Sequence, residues 1–201
     1  MRVISDIHGR VDDVSKGFGM SLENLLQVAF NLFRKSPGIF IIYSIVALVA
    51  LSNPISGLLL AGPITTGYYI VIHRISHNRH VEIEDFFKSF DRFVPLLILN
   101  LLIAVVVFLG LLLLIIPGIY FAISYLFAYF FVWFYDVEPT EAIRLSRKMV
   151  SGNFPQVLLL CLVLTGINLL GAMAFGIGLL VSVPFSYCVV YAAFDDIIGI
   201  N

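Results

Sequence analysis

Charge is what this sequence lacks most. Only 12% of its 201 residues are Asp, Glu, Lys or Arg, about half the share found in a water-soluble domain. A chain so poor in polar side chains cannot clothe a globule in water. With 60% hydrophobic residues and a mean hydropathy of +1.02, its natural solvent is lipid. Cysteine is nearly absent as well. Cys161 and Cys188 both lie within apolar stretches, which leaves them as small hydrophobes and removes any basis for a disulfide framework or a cysteine zinc site. A net charge of −1 lacks the basic balance of a nucleic-acid binder. The N-terminal segment is polar and mixed in charge, with no apolar stretch after a basic start, so no cleavable secretory signal is expected.

The charges that do occur are confined. Every Lys, Arg, Asp and Glu falls in residues 2–35, 74–92, 136–148 or at Asp195 and Asp196. Between these blocks lie three charge-free runs, 36–73, 93–135 and 149–194, of 38, 43 and 46 residues. A helical bilayer span needs about 20 apolar residues, so each run is about twice one span. A single helix over the second run would be about 65 Å long, against a hydrocarbon core of about 30 Å. Two antiparallel spans per run fit instead. Turn signals divide each run at "SNPISG" (52–57), "IIPGIY" (115–120) and "GIG" (176–178), where Pro removes a donor and Gly admits a positive φ. Those turns carry no charge, whereas all 12 Lys and Arg fall on the other side. The positive-inside bias then puts both termini and both charged loops in the cytoplasm, in a multi-pass protein of the cell membrane.

A threefold internal pattern emerges. Short stretches with helical spacing, "SLENLLQVAFNLFRKSPG" (21–38), "VEIEDFFKSFDRFVP" (81–95) and "PTEAIRLSRKMVSGNFP" (139–155), each precede an apolar run. Their prolines, Pro37, Pro95 and Pro155, recur at nearly equal intervals, as expected of a repeat. The expected organisation is a polar cytoplasmic segment (1–20), one membrane domain (21–195) with pseudo-repeats 21–80, 81–138 and 139–195, and a tail (196–201). The fold class is all-α and polytopic: six transmembrane helices as three hairpins, each preceded by a cytoplasmic amphipathic helix. In the first such stretch Leu22, Leu25, Leu26, Ala29 and Phe33 share a face, with Ser21 as N-cap. In the second, Ile83, Phe86, Phe87, Phe90 and Phe93 oppose Glu84, Asp85, Lys88 and Asp91. In the third, Arg144, Arg147 and Lys148 cluster beside Ile143, Leu145 and Met149.

The blocks "GPITTGYYIVIHRI" (62–75), "VEIEDFFKSFDRF" (81–93), "LLLLIIPGIYFAISYLFA" (111–128), "EAIRLSRKMVSGNF" (141–154) and "GIGLLVSVPFSYCVVYAAF" (176–194) occur in an order that resembles a group of uncharacterised prokaryotic integral membrane proteins. That group is in turn similar to the membrane domain fused to some glycerophosphoryl diester phosphodiesterases. The resemblance spans roughly residues 20–195 and implies a six-helix membrane protein of undefined biochemical role. It implies no catalytic residues here, because the catalytic barrel of those fusions is a separate domain.

Candidate chemistry is sparse. "DIHG" (6–9) looks like the first metal-binding segment of a calcineurin-type metallophosphoesterase. A two-metal site needs several further ligands, and the chain offers "FDRF" and "SGNF" where Gly-Asp and Gly-Asn-His segments are required. His73 and His77, at i and i+4, have metal-binding spacing, but Asn78 is a helix end that turns His80 away. No metal or other cofactor is therefore expected. Within the apolar runs the polar residues of interest are Asn100, Ser124, Thr165, Asn168 and the tyrosines. Buried Asn commonly makes a helix-packing hydrogen bond. Gly166, Gly171, Ala174 and Gly176 suggest close helix contact. These readings lead to a non-enzymatic membrane protein that acts at the cytoplasmic face through lipid or protein contacts, the partners being membrane lipids and other membrane proteins or itself. Arg144, Arg147 and Lys148 are its headgroup contacts. The alternative is a small permease or channel for a neutral or lipid-like solute, with Asn100 and Asn168 along a path between the repeats.

Overall fold

A computed structural model describes residues 2–174 and 176–200, with side chains from Ile7 onward. The order of elements is α1 (Arg2–Val14), α2 (Leu22–Phe33), α3 (Pro37–Ala50), α4 (Pro54–Ser76), a 3-10 segment (Ile83–Arg92), α5 (Phe93–Leu113), α6 (Ile115–Ser124), α7 (Ala128–Phe134), α8 (Pro139–Ser151), α9 (Phe154–Met173) and α10 (Leu179–Ile197). Helix accounts for 81% of the chain, with no strand among the described residues. Proline sets many of the starts. Pro37, Pro54, Pro139 and Pro155 occupy the first turns of α3, α4, α8 and α9, where a missing N–H costs nothing and the fixed φ is already helical.

Five helices are long and apolar enough to cross a membrane. They are α4, the continuous run from the 3-10 segment through α5, the pair α6 and α7, α9 and α10. A sixth span arises only if α2 and α3, which meet at 91°, are counted together. Helix α3 has 14 residues, about 21 Å of helix, because Pro37 starts it and the Ser52-Asn53 turn stops it. Asn53 caps α4 by accepting a hydrogen bond from the Ile55 N–H at 2.9 Å.

The second run turns earlier than "IIPGIY" suggests. Leu114 alone is extended (φ −161°, ψ 145°), and Pro117 lies within the first turn of α6, where its lack of an N–H is tolerated. Helix α6 then breaks at 125–127 before α7 begins. In the third run Gly176 adopts φ +75°. Gly171 and Gly178 approach so closely that a Cβ on Gly171 would lie 3.1 Å from the Gly178 carbonyl oxygen. Gly166 has open space around it, so it does not serve close packing.

The segments between the apolar runs also fold onto the bundle. Helix α2 packs chiefly on α10, the 3-10 segment on α4, and α8 on α7, α5 and α6. Helix α1 packs on α8 with Ile7 and Val11 buried, so the expected polar tail is a docked helix. At the other end α10 continues to Ile197, and Ile198 and Ile200 are buried. One face assignment changes. The 83–92 stretch is a 3-10 helix, with three residues per turn instead of 3.6. Its inner face is therefore Phe86, Ser89 and Asp85, while Phe87 is 44% exposed. Asp85, expected outside, is 4% exposed. Its charge is met by Arg74 (2.9 Å) and Lys88 (2.6 Å), and it also accepts the Glu82 N–H (3.0 Å), which offsets desolvation of the carboxylate.

Candidate functional site: a basic pocket between helices α8 and α6

Burial of Ala142, Leu145, Ser146, Met149 and Val150 fixes the orientation of α8, and its remaining face carries the cations outward. Ser146 sets the register. Its hydroxyl donates to the Ser124 carbonyl (2.8 Å) and accepts from the Phe127 N–H (3.2 Å). Both backbone groups lie at the break between α6 and α7, where the helix cannot satisfy them itself.

This docking brings Arg144, Arg147 and Lys148 together with Tyr120 and Ser151 around a pocket of about 400 Å³. The guanidinium of Arg147 lies 6.0 Å from the Tyr120 ring centre and 5.8 Å from that of Phe121, within cation–π range. Among the described residues no carboxylate pairs with Arg147. The other two cations are matched: Arg144 donates to Glu141 at 2.9 Å, and Lys148 donates to Asp12 of α1. The hydrogen bond from Lys148 holds the Asp12 carboxyl below the ordinary aspartate range. His8 stands 3.8 Å from Glu141.

Chemically, the pocket offers a planar, weakly hydrated, unmatched guanidinium backed by aromatic rings. Such a group is suited to bidentate contact with phosphate oxygens. Ile119, beside Tyr120 in the chain, is exposed. The cations therefore border an exposed apolar side chain.

The other candidate residues disperse. Asn100 is buried and joins three helices: its amide donates to the Leu58 carbonyl (2.7 Å) and accepts from the Tyr129 hydroxyl (2.7 Å). Asn168 donates to Leu164 and Ser186 (3.0 and 2.9 Å) and lines a groove of about 310 Å³ with Thr165, Ser186 and Tyr187. A second groove of about 420 Å³ lies between α3, α4 and α10, lined by Ser44, Tyr68 and Tyr187 among mostly apolar side chains. Asn100 lines neither.

His73 and His77 do come together, with ring centres 4.3 Å apart. However, Nδ1 of His73 meets the Tyr191 hydroxyl (2.9 Å) and Nδ1 of His77 meets the His73 carbonyl (2.9 Å). His80 is turned toward Glu82 at 3.8 Å. Among the described residues no group of three or more His, Cys, Asp or Glu could hold a metal ion. The side chain of Asp6 in "DIHG" lies outside the described residues.

Sequence spacing groups the three cations, which the structure brings around one pocket, but does not group Tyr120, Phe121, Ser151 or Asp12 with them. A tyrosine following a proline was the only signal for Tyr120. Nothing in the sequence ties Asp12 to a lysine 136 positions away.

The fold and site define an all-helical protein with five to six helices able to span a membrane. Comparison with family models, curated proteins and solved structures finds no match.

Proposed function

We propose that this is a non-enzymatic, multi-pass protein of the cell membrane that holds an anionic lipid headgroup at its cytoplasmic face, between α8 and α6. The observation that carries this reading is the Arg147 guanidinium, which no carboxylate pairs with among the described residues and which lies 6.0 and 5.8 Å from the Tyr120 and Phe121 ring centres, in a pocket it shares with Arg144 and Lys148. An isolated surface cation would be fully hydrated and mobile. This one lies within cation–π range of two aromatic rings beside exposed Ile119, where in a membrane a lipid phosphate is the nearest available anion.

Cytoplasmic placement of both termini and of the charged segments is supported by the confinement of all Lys and Arg to one set of loops. Packing of α2 on α10, the 3-10 segment on α4 and α8 on α5, α6 and α7 supports three related units. In each, a surface-lying amphipathic segment leads into a helical hairpin and rests on the preceding hairpin in cyclic order.

The test is reconstitution into nanodiscs of phosphatidylglycerol or phosphatidylcholine, followed by native mass spectrometry of retained lipid. The anionic lipid is expected to be retained preferentially, and Arg147→Ala to abolish that preference. Equal retention of both lipids by the unaltered protein would end the reading. Soluble glycerol phosphate serves as the competing arm. Displacement of the lipid at equal concentration would mean that the pocket recognises free phosphate and not a membrane component.

A second reading, a small permease for a neutral or lipid-like solute, draws on one observation. The two grooves flank α10 and share Val183 and Tyr187, so Tyr187 stands between them. In that reading Tyr187→Ala opens a path and raises solute flux in vesicles. Unchanged flux would remove it.

A further inference from the structure

We infer that Asp12 is the residue that sets how much negative charge the basic pocket accepts, and that it tunes the site to singly charged phosphodiester headgroups. This rests on the headgroup reading above and adds a specificity to it.

The charge balance is local. Arg144 is matched by Glu141 and Lys148 by Asp12, which leaves the charge of Arg147 alone for a ligand. The neighbouring acid Asp13 is taken up by Lys16 at 2.9 Å and plays no part. A phosphodiester carries one negative charge and is matched by Arg147. A phosphate monoester carries about −1.5 to −2 near neutral pH, and among the described residues of the pocket its second charge finds no unpaired cation while Asp12 holds Lys148.

Asp12 is not a loose counter-ion. It lies one residue beyond Val11, which is fully buried, and five residues beyond buried Ile7. Both side chains clamp α1 against the bundle, so the carboxylate is carried to Lys148 by a fixed helix. Lys148 is thus divided between two acceptors, an aspartate supplied by the fold and a phosphate supplied by the ligand. The charge of Asp12 decides between them. The N-terminal helix, which the sequence alone presents as a polar tail, becomes the element that distinguishes headgroups.

The experiment compares phosphatidylglycerol with phosphatidic acid in mixed nanodiscs, reading retained lipid per protein by native mass spectrometry for the full chain, Asp12→Asn and Asp13→Asn. Asp12→Asn is expected to move the preference toward phosphatidic acid by about two- to fivefold, the range of an exposed ion pair. Asp13→Asn is expected to leave it unchanged. Asp12 is more than half exposed, so its replacement removes no buried contact, and an unchanged thermal midpoint checks that the fold is kept. If Asp12→Asn leaves the ratio unaltered while Arg147→Ala still loses the lipid, the specificity is overturned and the headgroup site stands. If Arg147→Ala also changes nothing, both fall. A shift of equal size in Asp13→Asn would trace the effect to bulk charge and overturn the inference.

Discussion

Helices α4 and α10 each have two halves of similar composition and opposite fate. Toward the uncharged end, Ile55, Leu58 and Leu59 of α4 and Val181 of α10 are exposed. Toward the charged end, Tyr68, Tyr69, Val71 and Ile72 of α4 and Cys188 to Phe194 of α10 are buried. The same division runs through the whole molecule. Around the uncharged end Leu111 to Ile116 and Leu169, Leu170 and Met173 stand open, with Ile116 at 81%. At the charged end an aromatic core of Tyr43, Phe86, Phe127, Phe130, Phe131 and Phe194 is closed. Its rings stack at distances such as 3.8 Å (Tyr43 with Phe86) and 4.3 Å (Phe130 with Phe194). Apolar content does not distinguish the halves. The difference lies in what surrounds them: α1, α2, the 3-10 segment and α8 fold back over one end and leave the other uncovered. The basic pocket sits on the border between the two.

Substitutions that separate the two halves should differ sharply in detergent thermal unfolding. Phe86→Ala removes a fully buried ring and should cost about 3–5 kcal/mol, seen as a large drop in midpoint. Leu112→Ala at the exposed end should stay within about 0.5 kcal/mol. Comparable losses at the two positions would break the division. Asp85→Asn comes next. It strips the counter-charge from Arg74 and Lys88 and should cost about 2–3 kcal/mol, less than the full penalty of a buried pair because both cations keep some water. Asn100→Leu, which removes two interhelical hydrogen bonds, should cost about 1 kcal/mol. The smallest effect is electrostatic. Lys148 depresses the Asp12 pKa, so the contact is present at neutral pH and is lost only as pH falls through the depressed value. In a carbon-detected titration, Lys148→Ala should raise the Asp12 midpoint, and an unmoved midpoint would show that the two groups do not meet.

How far the sequence discloses this division depends on the kind of signal. The charge-free runs and entry prolines mark where apolar helices begin, because proline acts on the backbone whatever surrounds it. Helical spacing in 139–151 correctly separates Leu145 and Met149 from Arg144, Arg147 and Lys148, since α8 has the periodicity assumed. The same reasoning misplaces Asp85, because a 3-10 segment follows a period of three, and nothing local announces that change. The docking of α1 is invisible for a different reason. Ile7 and Val11 are two apolar residues in a polar helix, and their value depends on a surface supplied by residues more than a hundred positions away. Tyr120 reaches the pocket, and Phe121 comes near Arg147, through the docking of α8 on α6, where Ser146 meets the break after Ser124, a tertiary event.

The central claim is that the exposed apolar half lies in lipid and the charged half at the membrane surface. Spin labels at Leu162 on α9 and at Arg144 on α8, placed in a Cys161→Ser/Cys188→Ser background and reconstituted in vesicles, test it directly by collision with oxygen and with a water-soluble nickel chelate. The expected result is that the Leu162 label meets oxygen and is shielded from nickel, while the Arg144 label meets nickel readily. Nickel accessibility at Leu162 equal to that at Arg144 would contradict the placement of the molecule in the membrane.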